Sequence, residues 1–68
     1  MSAICKENKE EALEEAKKLS KENNTILFVI ESNINEKDEI KKVWYIDDSS
    51  FIRVWETCIA TYENGIEI

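Results

Sequence analysis

The sequence contains no histidine, no proline, one glycine (Gly65) and two cysteines in 68 residues. Each shortage removes a class of function. Without histidine there is no Ser-His-Asp or Cys-His relay. A zinc site would have only two thiolates and carboxylates to draw on, which is poor zinc chemistry. A single glycine cannot build a phosphate-cradling loop. Cys5 and Cys58 are too few to frame a secreted mini-protein. They read as two small buried hydrophobes, and a bridge between them would need an oxidising compartment. No segment approaches the roughly 18 apolar residues of a membrane span. The start, Met1-Ser2-Ala3-Ile4-Cys5, runs straight into charge with no signal-like pattern. The expected location is cytoplasmic.

Positive charge is also scarce. Nine basic residues, only one of them arginine, face fifteen acidic ones, for a net charge of −6. This argues against direct nucleic-acid binding, where neutralised phosphates supply much of the affinity. It argues equally against an anionic membrane surface. It leaves room for a cationic protein partner, and for an acidic inhibitor that mimics nucleic acid. Residues 1–68 make one domain. A chain this short buries only about 60% of its unfolded surface, so domains of this size often lean on a partner subunit.

What the sequence does contain is pattern. Residues 8–23, NKEEALEEAKKLSKEN, read as a helix. Asn8 is placed to cap it, with Glu11 three residues on. Glutamates gather at its start and Lys17, Lys18 and Lys21 towards its end, as the helix dipole favours. Its apolar stripe is Ala12, Leu13, Ala16 and Leu19, with Ser20 marginal. The stripe is narrow and its residues are small, so the helix can sit close to a sheet but cannot cover a wide one. Residues 25–31, TILFVIE, read as a central strand buried on both faces. A polar connection follows over 32–38. Strands are expected over 39–46 and 51–62, joined at Asp47-Asp48-Ser49-Ser50, and Asn64-Gly65 signals a tight turn into a short last strand. The expected fold is α+β in two layers: an N-terminal helix on a three- to four-stranded antiparallel meander.

The hairpin over 40–62 carries the functional expectation. If Ile46 faces Phe51, one face holds Lys42, Trp44, Ile46, Phe51, Arg53 and Trp55. The other holds Val43, Tyr45, Ile52, Val54, Cys58, Ala60 and Tyr62, with Lys41 and Glu56 as a cross-strand ion pair. The second face suits the helix. The first interleaves tryptophan with cations, and tryptophan and arginine dominate binding hot spots. Lys42, Trp44, Phe51, Arg53 and Trp55 are therefore the candidate binding residues, against the simpler reading of the tryptophans as core. Asp47-Asp48 reads as a turn former rather than a catalytic carboxylate pair. The oxygen-rich stretch 31–39 lacks the glycine and closing glutamate of a calcium loop. No catalytic residue, metal or cofactor is expected. The expectation is a non-catalytic interaction module or accessory subunit that binds a protein partner or itself, as a homodimer formed through its sheet. The alternative is the acidic inhibitor of a basic protein.

Overall fold

The computed structural model describes residues 3–68 and has one helix lying on a five-stranded antiparallel sheet, an α+β fold. The strands are β1 (Ile4–Lys6), β2 (Ile26–Glu36), β3 (Glu39–Asp47), β4 (Thr57–Glu63) and β5 (Ile66–Glu67), and the helix α1 spans Lys9–Glu22. No helix is long and apolar enough to cross a membrane among the described residues.

The helix begins and ends where its capping residues stand. Asn8 is extended, and its side-chain oxygen accepts the Glu11 backbone N–H at 3.0 Å. The Glu11 carboxylate turns to Lys6 Nζ at 3.5 Å. Asn24 takes the left-handed conformation at φ 50° and reverses the chain into β2. Ala12 and Ala16 are fully buried against Leu27, Val29, Ile46 and Tyr62, with Leu13 and Leu19 at the margins. Ser20 is also fully buried. Its hydroxyl donates to Lys17 O and accepts the Gly65 N–H, both at 2.9 Å. The marginal position of the stripe thus ties the helix to the β4–β5 turn.

The strand order is β1-β3-β2-β4-β5. The expected hairpin between 39–46 and 51–62 does not form. β3 pairs instead with β2 through a two-residue turn at Lys37-Asp38, with Val29 opposite Ile46 and Ser32 opposite Val43. β2 therefore runs through the polar stretch expected to be a connection. β4 pairs with the other edge of β2, with Leu27 opposite Tyr62 and Glu31 opposite Thr57. β3 and β4 are both antiparallel to β2 and so parallel to each other. Residues 48–56 form the crossover between them. The Asn64-Gly65 turn is as expected, with both residues at positive φ. Gly65 is required there twice over, since a Cβ would stand 3.0 Å from Lys21 Cβ.

One irregularity decides which side chains meet the helix. Val29 lies opposite Ala60, but Ile30 lies opposite Cys58, so Ile59 is an extra residue in β4. Ala60 and Tyr62 accordingly face the helix with Val29 and Leu27, while Cys58 shares the other face with Ile30. Strict alternation would have grouped Cys58 with Ala60 and Tyr62.

Candidate protein-interaction surface

The sheet face away from the helix carries Phe28, Ile30 and Ser32 from β2 and Val43, Tyr45 and Asp47 from β3. The crossover runs back along this face. Ile30 is 4% exposed and Val43 is fully buried, so the middle of the second face is already dry. The expected uncovered sheet face is thus largely closed by the chain itself, and the surplus apolar surface lies on the outside of the crossover.

Glu56 holds the crossover down on the sheet. Glu56 is buried, and its carboxylate accepts the Ser32 hydroxyl at 2.7 Å and the Arg53 backbone N–H at 2.9 Å. The Glu56 N–H donates in return to Arg53 O at 2.9 Å, and the Arg53 guanidinium stands 3.6 Å from the carboxylate. The Arg53 N–H, with help from the Ser32 hydroxyl, holds Glu56 below the ordinary glutamate range, although burial opposes it. The expected Lys41–Glu56 pair does not exist. Lys41 Nζ meets Glu7 at 2.6 Å, and this hydrogen bond raises the Lys41 ammonium above its usual value.

Pinned at Glu56, the crossover turns its large side chains outward. Phe51 is 75% exposed, Val54 99% and Trp55 58%, and Ile52 is exposed as well. Val54 and Trp55 stand at the centre of the turn that the Glu56 N–H closes on Arg53 O, and this turn carries them out from the sheet.

The five candidate residues separate into two groups on opposite layers. Phe51, Arg53 and Trp55 stay together on the crossover, with the Arg53 guanidinium 5.9 Å from the Trp55 ring centroid. Lys42 and Trp44 lie on the helix side. Trp44 packs at the margin of the core and donates its indole N–H to Glu31 at 3.2 Å. Lys42 Nζ stands 3.6 Å from the same carboxylate. Trp44 follows the core reading, and Trp55 has the exposure a docking residue needs. Val54, Ile52 and Glu56 were grouped with the helix face or its ion pair. A nine-residue crossover in place of a four-residue turn moved all three.

Two clefts flank the crossover. One, of 310 Å³, has Ile30 and Tyr45 as its floor and Phe51, Arg53 and Asp47 around it. The other, of 280 Å³, lies between Trp55 and Ile34, Ile40, Asn33 and Asn35. The cysteines do not behave as expected: both are exposed thiols. Cys5, Tyr45, Ile30 and Cys58 form one row across the sheet. Three strand spacings put the two cysteines about 14 Å apart, well beyond the roughly 7 Å limit for a disulfide. No protein-family model matches the chain, and neither a curated protein sequence nor a solved structure is significantly similar to it.

Proposed function

We propose that this protein is a non-catalytic interaction module whose contact surface is the outer side of residues 51–55. The observation that carries the reading is four large apolar side chains, Phe51, Ile52, Val54 and Trp55, standing in water on one short irregular segment. Loops are ordinarily polar, and contiguous apolar patches on soluble domains mark contact sites. Arg53 adds a cation that is already paired with Glu56, so covering the patch strands no charge. Phe51, Arg53 and Trp55 are the residues assigned to binding.

The test asks whether these side chains serve the fold or something outside it. In dilute solution, urea unfolding of the double variant Phe51→Ser/Trp55→Ser should stay within about 1 kcal/mol of the unsubstituted protein. Both rings are mostly exposed, and the Arg53–Trp55 cation–π pair is worth about 0.5–1 kcal/mol. A loss beyond about 2 kcal/mol would show that the rings are core in solution, and the contact-surface reading would fall.

A further inference from the structure

We infer that the partner of this surface is a second copy of the same chain, docked across a two-fold axis. This rests on the reading of residues 51–55 as a contact surface and adds the identity of what covers it. Three features favour self-pairing.

The first is area. Phe51, Ile52, Val54 and Trp55 are all exposed. At about 150–250 Å² for each aromatic side chain and somewhat less for the aliphatic ones, they leave on the order of 500 Å² of apolar surface in water. A standard interface buries about 800 Å² per partner, of which a little over half is apolar. The patch is the size of one side of a small, complete interface.

The second is shape. Val54 projects from the crossover almost fully exposed, and the cleft beside Phe51 opens over Ile30 and Tyr45 on the face the crossover covers. A projection beside a cleft is complementary to itself. Under a two-fold rotation the Val54 crest of each copy enters the Phe51 cleft of the other, and both copies make the same contacts.

The third is charge. The patch holds a single charged side chain, Arg53, already paired with Glu56. The acidic helix lies on the opposite layer, so two copies joined at the crossover keep their glutamate-rich helices on the outside.

Each copy carries −6, so self-pairing must work against repulsion and has a diagnostic salt dependence. Raising salt from about 10 mM to 150 mM shortens the screening length from about 30 Å to 8 Å. The dimer should tighten several-fold. A basic partner on the same surface would weaken instead.

Sedimentation equilibrium from about 1 µM to 1 mM chain, with reductant present to silence Cys5 and Cys58, tests the proposal. The mass should rise from 8.0 kDa to twice that value, and higher salt should move the midpoint to lower concentration. Val54→Glu and Trp55→Ala should remain at 8.0 kDa where the unsubstituted chain is dimeric. Ile66→Ser, which removes an exposed apolar residue on β5, should dimerise normally. A chain that stays monomeric throughout overturns self-pairing. So does a Val54→Glu variant that dimerises unimpaired, or an Ile66→Ser variant that does not dimerise. In each case the contact-surface reading stands or falls separately, on the unfolding of the double serine variant.

Discussion

Glu56 does the work of several residues. Its carboxylate accepts both the Ser32 hydroxyl and the Arg53 amide where the crossover meets the sheet. Removing its charge leaves a buried hydroxyl and amide with a weaker acceptor. Glu56→Gln should therefore lower stability by about 1–2 kcal/mol, a fall in Tm of about 4–8 °C per kcal/mol in a domain of this size. The pH dependence follows from the direction of its titration. The folded protein holds Glu56 below the ordinary glutamate range. Its stabilisation is thus complete above the unfolded value and is lost as pH falls through the folded one. Urea midpoints of the two proteins should differ most near neutrality and converge in acid. A constant gap down to low pH would show that the Glu56 charge is not what holds the crossover. The sequence marked Glu56 as the ion-pair partner of Lys41, not as the anchor of the crossover. Its partner Ser32 lies in a polar stretch that reads as a loop, and its other partner is a backbone amide.

Elements were legible where their local chemistry agreed with their role, and misread where it did not. The helix was readable from Asn8 to Asn24 because its caps, charges and small apolar stripe all point the same way. The Asn64-Gly65 turn was readable for the same reason. The Lys37-Asp38 turn was not, because neither residue advertises a tight turn. Yet both adopt positive φ, at 50° and 67°. Asp47-Asp48-Ser49-Ser50 has the composition of a turn but begins a crossover. The fold class was therefore within reach, while the pairing of β3 depended on which of two turns the chain uses. The bulge at Ile59 leaves no trace in the residue pattern. Of the candidate residues, Phe51, Arg53 and Trp55, chosen on account of their type, stay together on the crossover, and Lys42 and Trp44 were added by a register the chain does not adopt. The strained turn offers its own check. Lys37→Asn/Asp38→Gly should raise stability by about 1 kcal/mol, because the new residues accept positive φ at little cost. The readout is the urea midpoint. A drop would mean that the Lys37 or Asp38 side chain contributes more than the backbone strain costs.

At the scale of the whole molecule, residues 3–68 make two layers with a third, partial cover of their own making. It measures 39 × 21 × 19 Å, and its long axis matches the reach of an eleven-residue strand. Beyond the helix, β2 and β3 continue as a ribbon rich in polar residues, which explains why Asn33, Asn35, Lys41 and Lys42 stand in strands. β2 and β3 meet through a two-residue turn, whereas β4 reaches β2 only after the whole of β3 and the crossover. The shorter loop costs less entropy to close, and this dictates an assembly sequence. Pulse-labelled exchange during refolding should find the amides paired between β2 and β3 protected before those paired between β2 and β4. The last dozen residues are then a clasp fastened on a ribbon already made, and the tightness of one bend acts as the clock of the fold.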